Sequence, residues 1–240
     1  NNVVGSINLL KIMKKYNCKT IIFSSSATIY ADFENGKIRE NFSIKPINPY
    51  GRNKSTIELL LNDIYESEPS EWRIINLRYF NPIGAHKSGK LGENPIGLVN
   101  NIFPLILRVA SKDIKELKVF GNNWNTRDGT CIRDYIHIMD LANGHIEALN
   151  YLYKNNPKLL NLNIGTGLGN TVLELIKTFE RVNNIRIPYS FVERRKGDRE
   201  YVVADNSKLL ETLNWKPTRS LEDMCKDGWK WHLSNPFGYL

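Results

Sequence analysis

Short apolar runs alternate with amphipathic helical patterns in the first third of the chain. The run Ile21-Ile22-Phe23 predicts a strand at residues 20–24 that is covered on both faces, and a second apolar run predicts a strand at Arg73–Tyr79. Between them, apolar residues spaced i, i+3, i+4 and i+7 predict a helix over residues 50–67. Its predicted core face comprises Ile57, Leu60, Leu61 and Ile64. This alternation is typical of an α/β fold with a doubly wound parallel sheet.

The chain opens directly on a helical pattern over residues 1–16, without an initiator methionine. In this pattern Val4, Ile7 and either Leu10 or Lys11 share one face. We therefore expect the chain to begin within a fold. A polar connection over residues 32–49 follows the first strand.

The pattern changes after Pro82, where loops rich in Gly, Asn and Pro replace the regular alternation. We predict helices at residues 99–110, 139–153, 171–182, 207–213 and 221–233, and strands at 117–120, 133–137, 161–164 and 189–192. Residues 1–82 are thus predicted to form part of a Rossmann-like parallel-sheet domain. Residues 83–240 are predicted to form mainly a smaller, mixed α/β substrate domain.

Composition excludes several classes of protein. Hydrophobic residues make up 41% of the 240 residues and charged residues 24%, which is typical of a globular protein and argues against disorder. Every apolar run is far shorter than the roughly 18 residues that span a bilayer, and no secretory leader opens the chain. We expect a cytoplasmic protein without a membrane partner.

The cysteines and the net charge indicate which kinds of site and partner to expect. Cys18, Cys131 and Cys225 are widely spaced and odd in number, so we expect neither disulfides nor a metal site and interpret them as packing residues. The net charge of +8 suits an anionic partner, whether nucleic acid, membrane or a phosphorylated small molecule. Because the lysines are scattered, nucleic-acid binding is not favoured.

Tyr50 and Lys54 are the most informative pair, because a spacing of four at a helix start puts both side chains on one face. A phenol with its usual pKa of about 10 is a poor base at neutral pH. A neighbouring ammonium favours the phenolate, so Lys54 could make Tyr50 a usable proton acceptor and donor. Such pairs also occur by chance on surface helices. Tyr50 follows Pro49, however, where the catalytic groups of an α/β sheet are expected.

A cluster of small hydroxyl residues follows the first strand, in the segment Phe-Ser-Ser-Ser-Ala-Thr-Ile-Tyr at residues 23–30. Ligands bind at the carboxyl ends of parallel strands. Ser26 is therefore a candidate to hydrogen-bond a reacting hydroxyl, while Ser24 and Ser25 could let a flat ring approach the backbone. The alternative is that these serines are ordinary turn formers and helix caps.

These motifs and three others occur together, in an order and spacing that resemble the UDP-galactose 4-epimerase family of extended short-chain dehydrogenases. The motifs are Phe-Ser-Ser-Ser-Ala-Thr-x-Tyr, Pro-Tyr-Gly-x-x-Lys, Leu-Arg-Tyr-Phe-Asn-Pro-x-Gly-Ala-His, Asn-Asn at 100–101, and Arg-Asp-Tyr-Ile-His-x-Met-Asp-Leu at 133–141. The resemblance covers essentially the whole chain. It implies a Rossmann-like NAD domain, a UDP-sugar domain and a homodimer.

The resemblance also implies roles for single residues. The catalytic residues would be Ser26, Tyr50 and Lys54. The residues lining NAD would be Asn1, Ser24, Ser26, Tyr50, Lys54, Tyr79 and Phe80. The residues holding the UDP-sugar would be Ser26, Tyr50, Asn81, Asn101, Phe120, Arg133, Tyr135, Arg195 and Asp198. Arginine forks suit a diphosphate because they meet its oxygens in pairs. The alternative for each is an ordinary surface, core or turn position.

One glycine motif does not fit a dinucleotide fingerprint. The turn Gly165-Thr-Gly-Leu-Gly169 is spaced G-x-G-x-G instead of G-x-G-x-x-G, and the resemblance assigns it to the substrate domain. By the same resemblance, the glycine-rich loop that holds the NAD pyrophosphate is expected roughly 90 residues before Asn1, in a unit that this sequence does not contain.

The resemblance implies that UDP-galactose and UDP-glucose interconvert through a 4-keto intermediate, with tightly bound NAD recycled in place. Related 4,6-dehydratases carry an Asp-Glu pair where this chain has Ala27-Thr28, which favours an epimerase. A small residue at Val202, beside Tyr201, leaves open activity on UDP-N-acetylhexosamines. The competing hypothesis is a truncated, non-catalytic fragment that at most binds UDP-sugar.

Overall fold

The polypeptide folds into two units, for which the computed structural model describes residues 1–31, 36–95, 97 and 99–239. The first unit comprises the described residues of Asn1–Phe80, Asn143–Gly165 and Ala204–Lys216. The second comprises those of Asn81–Ala142, Thr166–Val203 and Pro217–Leu240. The polar connection predicted after the first strand lies partly outside the described residues, at positions 32–35.

Most elements lie close to their predicted positions. The helices are α1 (Asn2–Lys15), α2 (Pro49–Ser67), α3 (Ile102–Ala110), α4 (Ile138–Lys154), α5 (Val172–Asn183), α6 (Ser207–Leu213) and α7 (Leu221–Ser234). The strands are β1 (Thr20–Ser26), β2 (Arg73–Tyr79), β3 (Asn81–Ile83), β4 (Leu117–Phe120), β5 (Ile132–Arg133), β6 (Tyr135–His137), β7 (Leu159–Ile164), β8 (Asn170–Thr171), β9 (Tyr189–Val192) and β10 (Tyr201–Val202). No pattern in the sequence indicated β3, β8 and β10, because two or three residues are too few to show a period.

A parallel sheet in the order β1-β2-β7 forms the centre of the first unit. In its register Thr20 pairs with Arg73, and Ile74 pairs with Leu159. The helices α1 and α2 cover one part of this sheet through a core of Leu10, Ile57, Leu61, Trp72 and Ile74. The predicted α/β class with a parallel, Rossmann-like sheet is confirmed.

Helix α2 begins at a well-formed cap, since the Asn48 side chain accepts a hydrogen bond from Gly51 N at 2.7 Å and Pro49 occupies the first turn. Its predicted core face is confirmed: Ile57 and Leu61 are buried, and Leu60 and Ile64 pack against the same core.

For α1, in contrast, the residues predicted to share one face are not equally buried. Val4 is 64% exposed, whereas Val3, Leu10 and Met13 pack into the core. Apolar residues occur on all sides of this helix, so its periodicity could not determine which stripe turns inward.

A buried polar network joins α2 to the sheet. The guanidinium of Arg78, 1% exposed, donates from Nε to Glu58 Oε1 at 3.0 Å and from Nη2 to Glu58 Oε2 at 2.7 Å. Its Nη1 donates to the Tyr30 hydroxyl at 2.9 Å, which in turn donates to Asn163 Oδ1 at 2.6 Å. Burial raises the pKa of Tyr30 to about 12, so this hydroxyl keeps its proton. Ser25 completes the network.

Ser25 differs from its predicted role. Its side chain is fully buried and donates to Glu58 Oε1 at 2.5 Å, on the opposite face of β1 from Ser24 and Ser26. It therefore supports the ion pair instead of lining a ligand site.

The second unit packs α3, α5 and α7 around a core that includes Phe103, Ile106, Leu175, Phe179 and Met224. Strands β4 and β9 pair in parallel, β3 pairs in parallel with β6, and β5 lies between parallel β10 and antiparallel β8. These short ladders form the mixed α/β unit.

The strand predicted at residues 133–137 is interrupted at Asp134. The buried carboxylate of this residue binds the glycine turn at residues 165–169. It accepts hydrogen bonds from Thr166 N at 2.8 Å, Thr166 Oγ1 at 2.6 Å and Gly167 N at 2.9 Å. Two amides of the glycine turn thus already bind an internal carboxylate.

The thiols of Cys131 and Cys225 are free and buried, as packing residues are expected to be, but Cys18 is exposed, so the packing prediction is wrong for it. None of the helices in the described ranges combines the length and apolar content needed to cross a membrane. Within the same residues, no three or more His, Cys, Asp and Glu side chains are grouped to hold a metal ion.

Candidate functional site

The first unit brings Tyr50 and Lys54 together with the end of β1. Lys54 Nζ donates to the Ser24 carbonyl oxygen at 2.7 Å and lies 5.5 Å from the centre of the Tyr50 ring. It also lies 5.0 Å from the centre of the Phe23 ring. The ammonium is half-buried, and this burial lowers the pKa of Lys54. Tyr50 is 50% exposed and therefore open to a ligand.

Ser26 lies at the same strand end and is 7% exposed. Its Oγ accepts hydrogen bonds from Thr28 N at 3.2 Å and from Thr28 Oγ1 at 3.0 Å. Because Ser26 accepts both bonds, its own hydroxyl hydrogen remains for a ligand oxygen. Ser26 also caps the short 3₁₀ turn Ala27–Ile29.

A second tyrosine lies beside the Tyr50 cluster, which is formed by Tyr50, Lys54 and the serines at the end of β1. Tyr79, at the end of β2, hydrogen-bonds Ser24 Oγ, and its hydroxyl lies 2.6 Å from His145 Nε2. Burial raises the pKa of the Tyr79 hydroxyl and nearby Tyr50 adds to this rise, whereas the bond with Ser24 opposes it. Tyr79 thus keeps its proton, which leaves Tyr50 as the candidate base beside Lys54.

Asn1 and Phe80 also belong to the first unit. Asn1 is the exposed N-cap residue of α1, and Phe80 is buried directly after β2. Their assignment to a cofactor site stays a prediction.

A cavity of about 250 Å³ lies in the second unit. The seven residues of this unit that were predicted to hold a UDP-sugar all line it: Asn81, Asn101, Phe120, Arg133, Tyr135, Arg195 and Asp198. Lys118 and Cys131 also line it and were not predicted. Lys118 is one of many scattered lysines, so the sequence carried no signal that distinguished it.

Two arginines in the wall of this cavity are held by neighbouring groups. The Arg195 guanidinium stacks 3.8 Å from the centre of the Phe120 ring. Arg133 Nη1 donates to two backbone carbonyls, Ile132 O and Arg199 O, each at 2.8 Å, and its Nη2 lies 3.4 Å from Asp198 Oδ1. Both cations are therefore placed before any ligand binds.

Tyr135 provides a polar atom that a ligand could satisfy. The side chain is 1% exposed, and its hydroxyl has no hydrogen-bond partner among the described residues. Burial raises the pKa of Tyr135, so it remains a neutral donor. Buried polar atoms are rarely left unpaired, and a bound molecule in the cavity is one way to pair this one.

Known proteins resemble the chain over its whole length. Its sequence is 48% identical over 240 residues to the bifunctional UDP-glucose 4-epimerase and UDP-xylose 4-epimerase 1 of Pisum sativum, covering 100% of this chain and 68% of the relative. The UDP-glucose 4-epimerase of Dictyostelium discoideum is 46% identical over 239 residues, with 100% and 69% covered. The chain belongs to the UDP-glucose 4-epimerase family. Residues 1–228 also match the broader family described as GDP-mannose 4,6 dehydratase.

Solved structures of UDP-glucose 4-epimerases share this fold. The enzyme from Stenotrophomonas maltophila, with bound NAD and formylated UDP-arabinopyranose, has a TM-score of 0.95 and 42% identity, covering 98% of this chain and 69% of that one. The enzyme from Bifidobacterium longum, in complex with NAD+ and UDP, has a TM-score of 0.93 and 42% identity, covering 100% and 71%.

Two further observations bear on the sequence predictions. Ala27 and Thr28 form the 3₁₀ turn after β1 and bring no carboxylate there, unlike the Asp-Glu pair expected of a dehydratase. Val202 pairs with Arg133 in the β10–β5 ladder but is not among the residues that line the cavity, so its link to N-acetylated substrates stays a prediction.

No motif indicated His145, which lies one turn after the last of them, on the same helix α4. Its ring packs edge-on against Tyr79 at 5.5 Å between centroids. Only the fold shows that α4 returns this residue to the ends of β1 and β2, so no local pattern could have identified it.

Proposed function

We propose that this protein is an NAD-dependent UDP-glucose 4-epimerase that interconverts UDP-galactose and UDP-glucose through a 4-keto intermediate. The observation that carries the proposal is the position of Lys54, whose half-buried ammonium lies beside the Tyr50 ring and is fixed to the end of β1. Membership of the family and the cavity of the second unit support it.

The first unit suits a nicotinamide ribose. Lys54 has three ammonium hydrogens and donates one to Ser24 O, which leaves two for ribose hydroxyls. Tyr79 and Ser24 hold each other at the adjacent strand ends. Bound there, NAD would supply the reversible hydride acceptor that oxidation and re-reduction of sugar C4 require.

The chain's own residues handle the proton. Tyr50 removes the proton of the sugar 4-hydroxyl as the ketone forms, because Lys54 stabilises the phenolate. Ser26 donates its hydroxyl hydrogen to the same oxygen and holds it in place. Tyr50 then returns the proton, so C4 is inverted without net oxidation.

The second unit holds the nucleotide part of the substrate in this proposal. Arg133 and Arg195 bind the diphosphate oxygens, for which two fixed guanidinium forks are well suited. The Tyr135 hydroxyl donates to the ligand, which pairs an otherwise unpaired buried group.

An assay with UDP-galactose tests the function. The purified protein should form UDP-glucose, and its denaturation should release NAD. Binding of UDP without turnover would instead support a binding protein, the second hypothesis, because the cavity lies entirely in the second unit. A protein that neither binds UDP nor converts UDP-galactose would contradict both. UDP-N-acetylglucosamine in the same assay decides whether N-acetylated substrates are accepted.

We also propose that the protein is a homodimer. On α1, Leu9 and Ile12 are each 54% exposed and Tyr16, directly after the helix, is 71% exposed. Their spacing of three and four places them in one apolar stripe, which a second copy of the chain would cover. Sedimentation should show a dimer, and Ile12→Glu should shift it to monomer, while Ile12→Leu should not. A monomeric wild type would contradict this proposal.

The cytoplasmic location expected from the sequence stays a prediction.

A further inference from the structure

The loop between β9 and β10 lies along the segment that follows β4. Gly121 N donates to Val192 O at 2.8 Å, which fixes the start of the loop next to the end of β4. Two consecutive arginines of the loop then each find an aromatic ring. Arg195 stacks on Phe120 and Arg194 on Trp124, both with 3.8 Å between guanidinium carbon and ring centre.

Arg194 has further bonds to the same segment. Its Nε donates to Asn123 Oδ1 at 2.8 Å, and its Nη2 donates to Asn123 O. A planar guanidinium that stacks on a ring while it donates in its own plane is held in one orientation. Arg194 therefore ties the loop to residues 123 and 124.

Gly121 makes this close approach possible. Its φ is +78°, and a Cβ atom there would lie 2.6 Å from Trp124 Nε1 and 2.8 Å from Arg194 Cγ. Any larger residue would meet both members of the stack and would also be strained by the backbone angle. The contact between Arg194 and Trp124, which we call the anchor, therefore depends on both the β9–β10 loop and the segment after β4.

The two arginines differ in what they face. Among the described residues that line the 250 Å³ cavity are Arg195 and Asp198, but not Arg194. Arg194 is therefore placed to hold the loop, and Arg195 is placed to meet the ligand.

We propose that Arg194 is a positioning residue, which anchors the β9–β10 loop on Trp124 and thereby holds Arg195 and Asp198 in the cavity wall before the nucleotide diphosphate binds. This inference rests on the proposed function and adds a residue that does not touch the ligand. Without the anchor, three adjacent cations at positions 194–196 would repel one another in a free loop. Each encounter with the ligand would then have to order the loop, which weakens binding.

Two matched variants separate anchoring from charge. Arg194→Lys keeps the positive charge but loses the planar stack and the paired donors, whereas Lys196→Ala removes a charge from the same loop and leaves the anchor intact. We expect Arg194→Lys to raise the Kd for UDP about tenfold. The variant loses the cation–π contact with Trp124, and the loop must then be ordered when UDP binds, which costs binding free energy. Lys196→Ala should change the Kd less than threefold.

A comparison of KM with kcat provides the second readout. In the epimerase assay, Arg194→Lys should raise KM for UDP-galactose by a similar factor and leave kcat unchanged, because Tyr50 and Lys54 belong to the other unit. Trp124→Leu removes the aromatic ring on which Arg194 stacks and should have the same effect. The two variants therefore test the same contact, and one remains usable if the other does not fold.

Three results would overturn the inference alone: a wild-type Kd for UDP in Arg194→Lys and Trp124→Leu, an equal loss in Lys196→Ala, or a fall in kcat without a change in KM. A wild-type protein that does not bind UDP would instead overturn the proposed function, and this inference with it.

Discussion

Replacement of Tyr50 by Phe should lower kcat for UDP-galactose conversion by about 10²–10⁴-fold, the range found for loss of a general acid or base. The variant keeps the ring that lies 5.5 Å from Lys54 Nζ and loses only the hydroxyl that exchanges the proton. The Kd for UDP should stay within about twofold, because none of the residues lining the cavity of the second unit changes.

Tyr153→Phe is the matched control for this experiment. Tyr153 is 69% exposed on α4 and is not part of the Tyr50 cluster, so kcat should be that of the wild type. A Tyr50→Phe variant that retains more than a tenth of the wild-type kcat would show that Tyr50 is not the proton carrier.

Replacement of Arg78 by Met should destabilise the first unit by about 3–5 kcal/mol, since it leaves a buried carboxylate without its partner. Glu58 is 6% exposed and receives two hydrogen bonds from Arg78, and Ser25 alone cannot neutralise it. The free energy of unfolding, measured by urea titration, should fall accordingly. The double variant Glu58→Leu/Arg78→Met should recover much of the loss, because no charge is then buried.

The exposed pair of Arg39 and Asp205 is the control for the buried one. Arg39 is 68% exposed in this ion pair, so Arg39→Met should cost no more than about 1 kcal/mol. Equal losses in Arg39→Met and Arg78→Met would contradict the role assigned to burial.

The sequence predicted those parts of the fold that depend on strong local patterns. Strand β2 was predicted with its observed ends, and the face of α2 followed from its i, i+3, i+4, i+7 spacing. The sequence did not determine which face of α1 turns inward, because its apolar residues surround the helix and only packing selects among them.

Polar contacts between distant segments could not be predicted from the sequence. The burial of Ser25 against Glu58 and the bonds of Asp134 to the glycine turn join segments over 30 residues apart. His145 reaches Tyr79 from a position 66 residues later in the chain. The motifs indicated which residues belong to a site, whereas the tertiary fold determines what each of them contacts.

Isotope tracing at sugar C4 tests the central claim most directly. The protein is incubated with UDP-galactose that carries deuterium at C4, in ordinary water, and the UDP-glucose formed is analysed by mass spectrometry. The proposed mechanism predicts that the deuterium stays at C4, because the same hydrogen leaves and returns on NAD while only the hydroxyl proton passes through Tyr50. Replacement of the C4 deuterium by solvent hydrogen would contradict it.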